Sequence, residues 1–133
     1  MCLICEYIIV YYMAMEKREG GNVTPKQSRP QKTDSRTLEI PCPCGRIYIT
    51  ITFFEGRPFE IFTRLGKAGG CTSATTSGVA VASSLALRSG ADPLDVAKGL
   101  VGISCHKAPV FDGAFGDKNK VHSCVAAIGR AIR

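Results

Sequence analysis

The sequence lacks the long apolar run that a membrane-spanning helix requires. Its one apolar stretch, Leu3 to Met15, includes Glu6, whereas a spanning helix needs about 20 apolar residues. The stretch also lacks the basic flank of a secretory signal peptide. We therefore expect a cytoplasmic protein without membrane contact. We interpret the stretch as an edge strand, a partner contact or the result of a start codon placed before Met13 or Met15.

The sequence also lacks the dense basic stripe that usually meets duplex DNA. Its formal net charge of +6 comes from 17 basic and 11 acidic residues. Many of the basic side chains precede residue 37, and the remainder is only mildly basic. This distribution argues against nucleic acid as a partner and favours a small anionic ligand or a solvated surface.

A chain of 133 residues is long enough for one hydrophobic core and too short for two ordinary domains. With 45% hydrophobic and 21% charged residues, its composition is that of a globular protein. Glu16 to Arg36 is polar, with Gly20, Gly21, Pro25 and Pro30, and shows no apolar period. We therefore predict a flexible or mis-started N-terminal segment over residues 1–35 and a folded domain over residues 36–133.

Alternating residues predict a small antiparallel sheet. Thr37 to Pro41 is a short extended candidate, and Arg46 to Phe54 alternates β-branched and aromatic residues with the period of two of a half-buried strand. Glu55 to Pro58 supplies turn residues, and Phe59 to Leu65 alternates again, which predicts a hairpin. One face of the long strand would carry three isoleucines: Ile47, Ile49 and Ile51.

Three helices are predicted after the sheet. The first, Cys71 to Ser89, ends before Gly90, a residue suited to a left-handed cap. Its small residues predict close approach to the sheet, and it has apolar and small residues at helical spacing: Ala74, Gly78, Val81, Ala82 and Leu85. Asp92 and Pro93 begin a second helix that runs to about Val101, and Ser123 caps a closing helix. The class is α+β: a β-hairpin plus a short strand, packed by about three C-terminal helices.

Seven cysteines without a regular framework spacing indicate free thiols in a reducing compartment. Four of them lie at element junctions, which can converge in a small layered domain: Cys44, Cys71, Cys105 and Cys124. Four thiolates are a ligand set for structural zinc, with Cys42, His106 and His122 as substitutes. The alternative is that these cysteines are small core residues. Paired Cys-x-x-Cys knuckles are absent, since Cys2 and Cys5 form the one such pair, and a redox dithiol there lacks its βαβ setting.

The run from Gly66 to Gly70 leads into the start of the first helix and is the second candidate site. Backbone amides at a helix N-terminus attract anions, so Lys67, Gly69 and Gly70 are candidate contacts for a nucleotide or another phosphate. The run is not a Walker loop, because no lysine followed by Ser or Thr closes it. The alternative is a tight turn that needs small residues for packing.

No nucleophile, base and orienting group can be assembled from the sequence. It contains only two histidines, Asp92 and Asp95 belong to a helix start, and Asp112 and Asp117 lie in a glycine-containing loop. This argues against hydrolysis by the chain alone.

Several motifs together give the sequence a family resemblance over about residues 29–133. They are Arg29-Pro30, CGRIYITI, GRPFEIFTRLGKAGGC, SLALRSGADP, GIS-Cys105 and Ser123-Cys124. In this order and spacing they resemble the TSCPD domain, which is found at the C-terminal end of adenosylcobalamin-dependent ribonucleotide reductases and as separate small proteins. Two departures are that Val125-Ala126 replaces the Pro-Asp of the family's name, and that Ser77 and Val81 stand where a Glu and Arg pair is expected.

The resemblance implies a stand-alone accessory module whose partner is the catalytic subunit of a ribonucleotide reductase. It places Cys44, Cys71, Cys105 and Cys124 on the family's cysteine-bearing motifs and so favours a structural zinc. Adenosylcobalamin would enter only through the partner. The chain has neither the barrel nor the mobile cysteine pair of such reductases, so it would not reduce a nucleotide alone. A homo-oligomer is compatible with the sequence.

Overall fold

The computed structural model describes residues 24–65, 70–108 and 120–133. Three strands are followed by three helices, and their bounds are β1 Asp34–Cys42, β2 Gly45–Phe54, β3 Arg57–Leu65, α1 Cys71–Arg88, α2 Pro93–Val101 and α3 Cys124–Ile132. The predicted α+β class, with a small antiparallel sheet and three C-terminal helices, is confirmed. None of the helices in this described part is long and apolar enough to cross a membrane.

The sheet is a meander in the order β1-β2-β3, with both neighbouring pairs antiparallel. The β2–β3 hairpin turns through Glu55 and Gly56, whose φ angles of 50° and 75° are both positive, as a type I′ turn requires. Because this turn needs only two residues, β3 begins at Arg57 and not at the predicted Phe59. β1 is also longer than predicted, since its pairing with β2 extends back to Asp34 opposite Phe53.

One face of β2 forms the centre of the core. Ile47, Ile49 and Ile51 are almost completely buried, as their period of two predicts. They belong to one apolar cluster with α3, which contributes Ile128 and Ala127. The sheet and the closing helix therefore form the two layers of the domain.

Helix α1 covers the outer edge of β3. The Ser84 hydroxyl accepts a hydrogen bond from the Ile61 amide at 2.8 Å, and its oxygen also lies 3.2 Å from the Ile61 carbonyl oxygen. Backbone groups of an uncovered edge strand would invite pairing with another chain. Ser84 therefore satisfies the backbone amide and carbonyl of Ile61, which point away from β2.

Helix α1 approaches the sheet, as its small residues predict, but not with the stripe that the helical spacing marks. The residues of that stripe, Ala74, Gly78, Val81, Ala82 and Leu85, are exposed. The buried face consists of Thr76, Ala80, Ser83 and Leu87. Hydroxyl groups can face the core here because they bond to backbone carbonyls within the helix, as Thr76 Oγ1 does to the Thr72 oxygen at 3.0 Å.

The predicted helix ends are confirmed. Asp92 accepts a hydrogen bond from the Leu94 amide at 2.7 Å and caps α2. Ser123 accepts one from the Ala126 amide at 2.9 Å and caps α3. Gly90, with φ of 92°, adopts the left-handed conformation after α1. Helix α2 packs on α3, and α3 in turn packs on β1 and β2.

Candidate functional site

One pocket of about 230 Å³ gathers the four cysteines that the sequence singles out. Its walls include Cys44, Cys71, Cys105 and Cys124, together with His106. The structure therefore brings together thiols from four separate parts of the chain. His122 is not among the residues that line the pocket.

Each thiol reaches the pocket from the end of an element. Cys44 lies in the turn between β1 and β2, and Cys71 is the first residue of α1. Cys105 follows α2, and Cys124 is the first residue of α3. A backbone hydrogen bond of 3.1 Å from the Cys105 amide to the His122 carbonyl ties the two last segments together. The convergence therefore follows from the positions of the β1–β2 turn, the starts of α1 and α3, and the end of α2.

A fifth cysteine lies behind the pocket. The Sγ atoms of Cys42 and Cys124 are 3.3 Å apart, and both side chains are buried, at 1% and 5% exposure. Cys42 pairs with Gly45 across the β1–β2 turn, which is why it lies close to Cys44 and faces inward. The sequence suggested Cys42 only as a substitute ligand, although its place two residues before Cys44 is the signal for this proximity.

Burial decides the protonation state of the inner thiols. It raises the pKa of Cys44, and a hydrogen bond with Cys124 raises that pKa further. Burial likewise raises the pKa of Cys124, with a further contribution from its hydrogen bond with Cys42. Without a metal ion these groups are neutral thiols at physiological pH. They are therefore weak nucleophiles, and metal binding there must release protons.

These raised pKa values predict how the stability of the metal-free protein depends on pH. A thiol whose pKa is raised by folding stabilises the fold below its unfolded pKa of about 8.5, and this stabilisation is lost as the pH rises through the folded pKa. In chelator and reductant, we expect the free energy of unfolding from urea titrations to fall above about pH 8.5. The decline should be shallower in Cys124→Ser than in the unsubstituted chain. Equal slopes in the two proteins would contradict this assignment.

The donor chemistry of the pocket suits zinc, since thiolates are soft ligands. Within residues 24–65, 70–108 and 120–133, however, no three His, Cys, Asp or Glu side chains form a group that could hold a metal ion as they stand. Binding would therefore require the thiols to turn into the pocket.

A comparison with protein-family models matches residues 18–133 to the TSCPD domain. The chain belongs to the TSCPD domain family. The match includes all six elements and every cysteine of the pocket, so the resemblance carried by the motifs is confirmed. No curated protein and no solved structure was found to match the chain.

The second candidate site of this TSCPD domain lies mostly outside the described residues. Lys67 and Gly69 lie outside the described residues, as do Cys2 and Cys5. Gly70 is the N-cap residue of α1, with φ of 85° and no side-chain cap hydrogen bond. Phosphate binding by the Gly66–Gly70 run stays a prediction.

A charged cluster on the other side of the TSCPD domain was missed from the sequence. The Glu60 carboxylate, on β3, is only 5% exposed and forms ion pairs with Arg29 at 2.8 Å and Arg88 at 3.0 Å. Arg88 also donates to the Gln27 carbonyl from Nη2 at 2.7 Å. Gln27 and Arg29, which the sequence places in the N-terminal segment, are therefore bonded to the domain. Their local sequence contains no periodic signal that could predict these partners.

Proposed function

We propose that this protein is a non-catalytic accessory module of ribonucleotide reduction, and that its cysteine pocket holds a structural zinc ion. The observation that carries the proposal is the convergence of Cys44, Cys71, Cys105 and Cys124 on one pocket. Their sequence positions are far apart, so a metal bound there would join the hairpin turn to the ends of all three helices.

A structural role is favoured over catalysis by the surroundings of the pocket. The pKa values of Cys44 and Cys124 are raised by burial, whereas a catalytic cysteine needs a lowered pKa. In the described part of the chain, Asp92 and Asp95 belong to the start of α2 and do not line the pocket. Among the residues that the structure describes, none that lines the pocket is a carboxylate that could orient His106 as a base.

The four thiolates would hold zinc as a closed tetrahedral site, with no position left for substrate. Cys42 lies against Cys124 and would be a substitute ligand. When bound, zinc would supply a cross-link and no reaction chemistry. Because such a small domain has one modest core, the binding free energy would appear largely as folding free energy.

The partner is proposed from the family. The TSCPD domain resembles the C-terminal module of adenosylcobalamin-dependent ribonucleotide reductases, and a separate chain of this kind would act by docking on the catalytic subunit. Adenosylcobalamin, the nucleotide substrate and the radical chemistry would then belong to that subunit. The module would stabilise it or position its C-terminal region.

Co-purification tests this function. The tagged full chain should retain the catalytic subunit of an adenosylcobalamin-dependent ribonucleotide reductase from the same cell. The complex should unfold at a higher temperature than the subunit alone. Reductase turnover should rise when the module is added. A subunit that is neither retained, nor stabilised, nor changed in turnover would refute the proposal.

A further inference from the structure

Exposed apolar side chains are concentrated at one cleft of this domain. The cleft, of about 270 Å³, lies between β3 and α1. Phe62, Val81 and Leu85 line it and are 47%, 69% and 52% exposed. Single exposed apolar residues need no explanation, but a contiguous group indicates an interaction site.

The helix that forms one wall has no charge on its outer side. From Cys71 to Leu87 the sequence of α1 contains no Asp, Glu, Lys or Arg. A surface helix normally turns charged residues outward, yet here Val81 and Leu85 face solvent. The outer face of α1 is therefore suited to contact with another apolar surface.

The rim of the cleft is cationic. Lys26, Arg29 and Arg88 line it, opposite a single carboxylate, Glu60. Glu60 compensates one of the three positive charges, which leaves a formal balance of +2. The Arg29 guanidinium also lies 5.8 Å from the centre of the Phe62 ring. Positive charge therefore stands directly beside the apolar wall.

We infer that this cleft docks an apolar segment of a partner protein that carries acidic residues next to its apolar anchors. Val81, Leu85 and Phe62 would receive the anchors, and Lys26 and Arg29 would pair with the carboxylates. The inference rests on the proposed function in one respect, namely that the domain works by docking. A second copy of this chain fits less well, because a twofold contact would bring two cationic rims together.

A synthetic peptide tests the chemistry of the cleft independently of any reductase. The probe is a labelled amphipathic peptide of about 14 residues with leucines at helical spacing and glutamates between them. Its matched control has lysines in place of the glutamates. Fluorescence anisotropy with the full chain should show saturable binding of the acidic peptide and much weaker binding of the basic one.

Two variants with equally exposed leucines locate the site. Leu85→Glu should weaken binding of the acidic peptide about tenfold or more. Leu94→Glu, on α2 and away from the cleft, should leave it unchanged, since Leu85 and Leu94 are both 52% exposed. Circular dichroism should show that both variants fold, because neither side chain belongs to the core.

Four outcomes measured without a reductase would overturn the inference. They are no binding of the acidic peptide, equal binding of both peptides, equal losses in the two variants, and a dimer by light scattering that Leu85→Glu converts to a monomer. The last would make a second copy the occupant.

If Leu85→Glu still retains the reductase subunit, the docking surface is wrong while the proposed function stands. If the wild-type chain binds the peptide but not the subunit, the reductase subunit is not the partner, while the docking surface stands.

Discussion

Replacing Gly129 with alanine should destabilise the domain by about 1–3 kcal/mol, the usual cost of overpacking a core. A Cβ atom at Gly129 would lie 2.9 Å from the Ala97 carbonyl oxygen, the Leu100 Cβ and the Val101 amide nitrogen. Two of these three atoms are backbone, so they cannot turn away as a flexible side chain would. Helix α3 would have to move off α2, which would open the core at Ile128. Urea unfolding with a reductant present measures the loss.

The opposite result is expected for Gly78→Ala. Gly78 lies on the exposed face of α1, and a Cβ there would meet nothing within 4 Å. Alanine should therefore stabilise the domain by about 0.5–1 kcal/mol, through helix propensity and a less flexible unfolded chain. Equal effects of the two substitutions would contradict the close crossing of α2 and α3.

Replacing Glu60 with glutamine should cost about 3 kcal/mol of stability, at the lower end of the range for breaking a buried ion pair. Glutamine keeps the shape but removes the charge between Arg29 and Arg88. The Arg88 side chain is only 13% exposed, so its guanidinium would stay largely buried without a carboxylate. Arg29 is far more exposed, and its charge can return to water, which is why the cost should not reach the top of that range.

Glu39→Gln is the matched control on the same sheet. Glu39 pairs with Arg46 at 3.0 Å, but both side chains are well exposed. Such pairs contribute about 0–1 kcal/mol, so the loss should be several times smaller than for Glu60. Thermal unfolding at low and high salt separates the two, since salt screens the exposed pair more strongly. Similar losses in both variants would refute the buried character of the Glu60 cluster.

Local patterns sufficed for most of the fold. Alternation over Arg46–Phe54 predicted the buried isoleucines, and the Asp92 and Ser123 caps were predicted because cap chemistry is contained in a few adjacent residues. The orientation of α1 was not predictable in the same way. Both of its faces consist mainly of small residues, and the contact of Ser84 with Ile61, which marks the face toward the sheet, depends on tertiary structure.

The candidate site, too, was predictable only where local sequence carries the signal. The sequence placed four cysteines at element ends, and elements that end on one side of a small layered domain bring those ends together. It could not show that Cys42 lies against Cys124, since that contact depends on the packing of α3 on the sheet. The Glu60 cluster was missed because Arg29, Glu60 and Arg88 come from three segments with no shared motif.

Elemental analysis of the purified full chain, prepared without added metal or chelator, tests the central claim most directly. We predict about one zinc per chain, lost together with most of the thermal stability in Cys124→Ser. The metal should be retained in His122→Ala, whose side chain does not line the pocket. A wild-type chain that folds stably without zinc would contradict the assignment of the cysteine pocket. Zinc that is retained in Cys124→Ser would contradict it as well.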